Sequence, residues 1–176
     1  MIKTHQVKLY PNRTMTKVIN DLFNYRRYIW NQALSIWNDM YDDSIIMGNK
    51  KLQPNRFKVK KELTANKADW QYTMSSHILN LVSSDLEKAW KNFWNPNMPD
   101  NNKPKFKSKK NYKPTFTMDR ARIVNGKLIL EAGQGIKYYP IRISQQPRFS
   151  GELKQVTVTE NADGIYASLV IDTPGE

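Results

Sequence analysis

The residues best placed to do chemistry lie between Lys103 and Lys110, in the run KPKFKSKK. Five of its eight residues are lysine (Lys103, Lys105, Lys107, Lys109 and Lys110) and none is acidic. Ammonium groups at this density track a phosphate backbone. Phe106 sits among them, an aromatic ring that can stack on a base or anchor the loop. Pro104 and the clustered like charges predict that the run is not helical. The competing reading is a solvated basic connection.

Other reactive types are sparse. The chain has two histidines, His5 and His77, and no cysteine. That excludes disulfides, thiolate metal sites and a cysteine nucleophile, and it leaves no zinc pattern. Gly133-Gln-Gly135 is a G-x-G with no helix after it and reads as a turn. Asp42 and Asp43 read as a polar helix end rather than a metal pair. Asp172 closes an apolar strand and has no partner carboxylates after it. The residues alone therefore describe a basic binding module with no catalytic residue, no metal site and no cofactor of its own.

Net charge supports this. The 176 residues carry +12, which favours a nucleic-acid partner. A membrane surface is the rival partner. Yet no apolar run approaches a spanning segment, and the N-terminus has no signal-peptide core. The expected location is cytoplasmic, nucleoid-associated when bound, with no membrane partner. Hydrophobic residues make up 39% of the chain, with five Trp and nine Tyr, enough to build a core.

The elements that must position the basic run follow from periodicity. Residues 2–10 alternate as a strand, ended by Pro11-Asn12. A helix follows, with Thr14 or Thr16 as N-cap and a stripe at Leu22, Tyr25, Ile29, Ala33, Ile36 or Trp37, and Met40. Phe23 and Trp30 widen that stripe, so this helix should be buried on more than one side. Pro54 or Asn55 can open a short helix with Phe57, Val59 and Leu63 on one face. A third helix begins at Ser75 or Ser76 and carries Ile78, Val82, Leu86, Ala89 and Phe93 until Asn95-Pro96 stops it. After the lysines the period falls to two. Thr115–Met118 reads as a strand, and Asn125-Gly126 reads as a type I′ hairpin turn. Residues 135–144 read as a strand pair or a strand bent near Pro140. Residues 153–160 and 165–172 read as a second hairpin. The economical fold is α+β: the first strand joins the C-terminal strands in a small barrel, and the helices are an insertion.

Four features in order carry a family resemblance. They are Val7-Lys-Leu-Tyr-Pro11, Arg27-Tyr-Ile-Trp-Asn31, Ala89-Trp-Lys-Asn-Phe-Trp94, and the stretch from Pro104 to Lys110. The chain resembles the N-terminal region of TnpB/OrfB proteins, transposon-encoded RNA-guided DNA nucleases related to type V CRISPR effectors. The resemblance implies a wedge domain, an oligonucleotide-binding-like β-barrel, interrupted by a helical recognition domain. The corresponding boundaries are 1–12 and 112–172 for the wedge, 13–111 for the recognition insertion with its basic loop, and 173–176 for a tail. It implies guide RNA, a target DNA duplex and an RNA–DNA heteroduplex as partners. Catalysis and its magnesium belong to a RuvC nuclease domain beyond this chain, carried separately or missing.

By position in the family, reading of the target-adjacent DNA motif falls on Ser76, His77, Asn80 and Thr117. Capping or solvent-facing roles compete at each. Arg27 and Asn31, four apart on one helix face, either contact RNA backbone or hold the helix against the barrel. Arg56 and Lys58 join the lysines of the loop as candidate backbone contacts, with Phe106 as the stacking residue. The alternative function is a stand-alone DNA-binding accessory protein of transposition, or a repressor.

Overall fold

The computed structural model describes residues 1–174, so the end of the expected tail lies outside the described residues. The chain forms two compact units. One comprises residues 1–25, 72–78 and the chain from Lys113 onward; the other comprises residues 26–71 and 79–112.

The first unit is built on one antiparallel sheet. Its strands are β1 (Ile2–Tyr10), β2 (Thr115–Met118), β3 (Arg122–Val124), β4 (Lys127–Ile129), β5 (Ile141–Ile143), β6 (Glu152–Asn161) and β7 (Gly164–Asp172). They lie in the order β2-β6-β7-β1-β5-β4-β3. β1 is central because it pairs on both sides, with β7 from Ile2↔Asp172 to Lys8↔Tyr166 and with β5 at Leu9↔Ile143. The alternation of β1 sends His5, Val7 and Leu9 inward and leaves Thr4 and Gln6 exposed.

Both expected hairpins form. Asn125 and Gly126 take φ of 52° and 75°, the left-handed pair that a type I′ turn requires. Asn161 pairs with Gly164 around Ala162-Asp163. One expectation is corrected. Residues 131–140 are irregular, and only Ile141–Ile143 of the expected 135–144 segment is a strand. Pro140, which lacks an N–H, immediately precedes it. The sheet curls as a half-barrel, compatible with the expected α+β fold, and no pairing joins edge strands β2 and β3 among the described residues.

Helix α1 (Arg13–Ile46) runs 34 residues, about 51 Å at 1.5 Å per residue. Asn12, rather than Thr14 or Thr16, caps it: its Oδ1 accepts from the Met15 N–H at 2.8 Å. The first turns of α1 belong to the sheet unit. The physical reason is burial. Met15, Ile19, Leu22 and Phe23 are buried, and the Phe23 ring meets Phe116 of β2 at 5.3 Å.

The second unit holds the rest of α1, α2 (Arg56–Ala65) and most of α3 (Ser76–Trp94). Asn55 caps α2 by accepting from the Lys58 N–H, and Val59 and Leu63 are its buried residues. The core continues with Ile29, Ala33 and Leu34 of α1 and Val82 and Leu86 of α3. Among the described residues no helix is long and apolar enough to cross a membrane.

Two tests follow within the sheet unit. A Cβ on Gly133 would lie 2.2 Å from the Thr73 carbonyl carbon, while the neighbouring Gln134 N–H donates to the Tyr72 carbonyl at 2.8 Å. Gly133→Ala is therefore expected to lower stability by about 1–3 kcal/mol in urea unfolding. An undiminished midpoint would refute the close approach. His5 is buried, and its Nδ1 accepts from the Arg148 N–H at 3.1 Å. Burial, then the Arg148 charge, lower its pKa. Below about pH 6.5 the unfolded chain takes a proton that the folded chain resists, so stability falls on acidification. His5→Gln is expected to flatten the melting midpoint between about pH 7 and pH 5.

Candidate nucleic-acid interface

The basic run is held to α1 by its backbone. Asn31 Nδ2 donates to the Lys107 carbonyl at 2.8 Å, and the Lys107 N–H donates to Asn31 Oδ1 at 2.7 Å. The Trp30 indole N–H donates to the Lys105 carbonyl at 2.9 Å. In an extended segment the peptide groups of alternate residues point the same way, so Lys105 and Lys107 can face one helix together. As expected, residues 103–107 form no helix, and 108–111 form a turn.

The lysines of this loop then divide. The Lys107 ammonium lies 4.5 Å from the centre of the Trp30 ring, and Arg26 lies 5.3 Å from it. Burial, then the Arg26 charge, lower the Lys107 pKa. Lys103 lies 5.6 Å from the centre of the Trp90 ring. Lys103 is nonetheless exposed, as are Lys105, Lys109 and Lys110, so only Lys107 is half-buried; Phe106 is 58% exposed. The exposed lysines are therefore the ones placed to reach a phosphate backbone.

Other expected contacts are occupied by the protein itself. Asn31 holds the loop, not the barrel, and its amide has both groups engaged there. The Lys58 ammonium binds the carbonyls of Lys51 and Gln53, closing the short 3-10 turn Lys50–Leu52. Arg27 is half-buried, and its Nε lacks a hydrogen-bond partner. Arg56 remains exposed, its guanidinium 4.8 Å from the centre of the Phe57 ring, while its backbone N–H donates to Glu87.

The expected reading residues also have local partners. His77 Nδ1 lies 2.6 Å from Asp119 and Nε2 lies 3.3 Å from Glu131, with 17% of the side chain exposed. Glu131 Oε2 is buried without a well-formed hydrogen bond, so that second contact is ionic proximity rather than an aligned bond. Two carboxylates beside His77 compete with DNA for its ring nitrogens. Thr117 shares a hydroxyl hydrogen bond of 3.0 Å with Thr157. Ser75 accepts from the His77 N–H and caps α3, which leaves Ser76 exposed at the first position of that helix. Asn80 is half-buried further along α3.

Sequence reasoning missed the outward face of the sheet. Lys8, Tyr166, Thr159 and Thr115 form one cross-strand row by register, and Tyr10 pairs with Arg142. Lys8 lies 5.9 Å from the Tyr166 ring centre, and Arg142 lies 4.9 Å from that of Tyr10. The signal was present in the polar half of the β1 alternation, Thr4, Gln6, Lys8 and Tyr10. Among the described residues, no cluster of three or more His, Asp or Glu side chains could hold a metal ion.

Replacing Lys105, Lys109 and Lys110 together by Gln is expected to make log affinity against log salt shallower by about 2–3 units, at roughly 0.7–0.9 per phosphate. The thermal midpoint should barely move, because these charges are exposed. Asn31→Ala should instead lower stability by about 1–3 kcal/mol, since it leaves the Lys107 peptide groups without their partner. A salt titration with a melt reads both. An unchanged slope in the triple variant would make the run a solvated connection.

Comparison with known proteins agrees with the motifs. Residues 1–44 match the family model of a helix-turn-helix domain, that of OrfB proteins of IS605-type elements. No curated protein matches the chain. The matched residues fold as β1 followed by one unbroken stretch of α1, with no second helix among them. Over residues 1–44 this chain thus matches the N-terminal region of TnpB/OrfB transposon proteins, a transposon-associated group whose domain type implies DNA binding.

Proposed function

We propose that this chain is the nucleic-acid-binding part of a TnpB-like RNA-guided DNA endonuclease. In this reading it holds guide RNA and the RNA–DNA heteroduplex and recognises the DNA motif beside the target. The observation that carries it is the pinned basic loop. Trp30 and Asn31 fix the course of a lysine-rich segment while Lys105, Phe106, Lys109 and Lys110 face solvent. A solvated linker has no need of three hydrogen bonds to a helix. The net charge of +12 and the match over residues 1–44 support the same reading.

The sheet unit corresponds to the wedge and the helical unit to the recognition domain. Ser76 and Asn80 remain the candidates for motif reading, because His77 and Thr117 are engaged with neighbouring side chains. The chain is not an enzyme by itself: cleavage needs the carboxylates and magnesium of a nuclease domain. The second reading is a stand-alone DNA-binding accessory protein of transposition or a repressor, which the description of the matched region also supports.

The test is a filter-binding comparison of structured guide RNA, duplex DNA and a palindromic duplex. RNA should bind most tightly, and motif-dependent DNA binding should appear only in the RNA complex. Asn80→Ala should relax preference at one base pair, weakening its recognition by about 1–3 kcal/mol. Purified protein should not nick DNA with magnesium or manganese. RNA-independent binding to a palindrome would favour the repressor reading instead.

A further inference from the structure

The C-terminal end of α1 presents apolar residues to water in a fixed frame. Ile45, Ile46 and Met47 are 63%, 78% and 70% exposed, three large apolar side chains in succession. Fraying does not account for them, because the helix end is closed by its own backbone. The Gly48 N–H donates to the Ile45 carbonyl at 3.2 Å, and the Asn49 N–H donates to the Ser44 carbonyl at 3.0 Å. Gly48 takes the left-handed φ of 60° that this Schellman closure requires. Such a closure commonly folds an apolar residue after the glycine back onto the last turn. Here that residue is Asn49, and the three apolar side chains stay uncovered. Single exposed apolar residues are ordinary on a surface, whereas a contiguous patch marks a contact site.

A recess of about 330 Å³ adjoins this tip. Met40 and Leu52 give it apolar walls, and Asp43, Lys51 and Lys61 also line it. Met40, Asp43 and Met47 stand three and seven residues apart, so recess and tip share one face of α1. Whatever covers the tip must match this combination. Nucleic acid brings phosphates, and Asp42 and Asp43, both exposed one turn before the tip, repel them. A partner of one charge sign suits Asp43 or the two lysines, but not both. A second copy of this chain brings an apolar tip for the recess, an apolar-walled recess for the tip, and each sign of charge for the other. A two-fold axis makes both contacts at once.

We infer that the end of α1 is a self-association surface, in which Ile46 and Met47 of each copy enter the Met40–Leu52 recess of the other. A patch of this kind is small beside the ~1,200 Å² that a stable interface buries, so the dimer is a weak one. The +12 charge on each copy opposes it further. Added salt screens that repulsion, so self-association strengthens with salt, whereas nucleic-acid binding weakens. The inference is independent of the nucleic-acid-binding reading above.

The experiment is sedimentation equilibrium of the full chain, freed of nucleic acid, from about 1 µM to about 1 mM protein. A monomer–dimer equilibrium should appear, tighter in high salt than in physiological salt. Ile46→Ser with Met47→Ser, both at exposed positions, should keep the thermal midpoint and weaken association by roughly 10- to 100-fold. Leu52→Lys alters the recess instead and should weaken association likewise. Mixing these two variants restores one intact contact of tip and recess, so the mixture should associate more tightly than either variant alone. A monomer throughout, a tip variant that associates as wild type does, or a mixture no tighter than its components would overturn the inference. So would a dimer that salt dissolves, since a bridging polyanion behaves that way. Monomeric protein that floats with anionic vesicles would also overturn it and assign the tip to a membrane surface.

Discussion

A single carboxamide holds the basic loop in register with its helix. Asn31 offers a donor and an acceptor on one planar group, and Lys107 answers with its own carbonyl and N–H. This is the pairing one strand makes with another, supplied by a side chain on a helix. It matters because the segment has no reason of its own to stay put. Five lysines in eight residues repel one another, and no acid among them offsets that repulsion. Backbone hydrogen bonding is indifferent to side-chain charge, so it can hold a cationic segment without neutralising it. An acidic anchor would hold the segment equally well but would cancel the field that attracts phosphate.

The indole of Trp30 completes the arrangement. Its N–H binds the Lys105 carbonyl, while Arg26 and Lys107 lie near its ring. Two cations near one ring bear on each other, and the lowered Lys107 pKa reflects burial first and Arg26 second. Arg26 also lies 3.5 Å from Asp85, whose pKa burial raises despite that guanidinium. The loop is therefore fixed by partly desolvated groups, while its exposed lysines keep their hydration until a polyanion arrives.

Much of this fold is legible in the residue pattern. β1 and β2 follow a period of two, and the three helices follow their apolar stripes, because burial of one face is the force that makes each element. Asn125-Gly126 is legible for a different reason: few residue pairs take positive φ at both positions readily. The Asn12 cap and the irregular course of residues 136–140 were not legible, although the turn at Gly133-Gln-Gly135 was. Each is decided by competition between neighbours of similar propensity, such as Asn12 against Thr14. Likewise 131–140 contains residues able to form a strand, yet Gly133 lies against the backbone at Thr73, a contact that pattern cannot announce.

The candidate site was legible in type and not in detail. Every lysine of the loop reads alike in sequence, yet Lys107 is half-buried beside the Trp30 ring while Lys103, Lys105, Lys109 and Lys110 are exposed. His77 looks like a base reader by position, yet Asp119 and Glu131 approach its two nitrogens from segments more than forty residues away. The difference is physical. A charge run reports what a surface attracts, because long-range attraction sums over residues whatever their orientation. Which side chain makes a contact depends on the partners that tertiary structure brings near, and a polar group already engaged inside the protein must lose that partner before it can engage a ligand. Composition therefore points to the class of partner, and Asn31, Lys58 and His77 would each have to give up an internal partner to contact it.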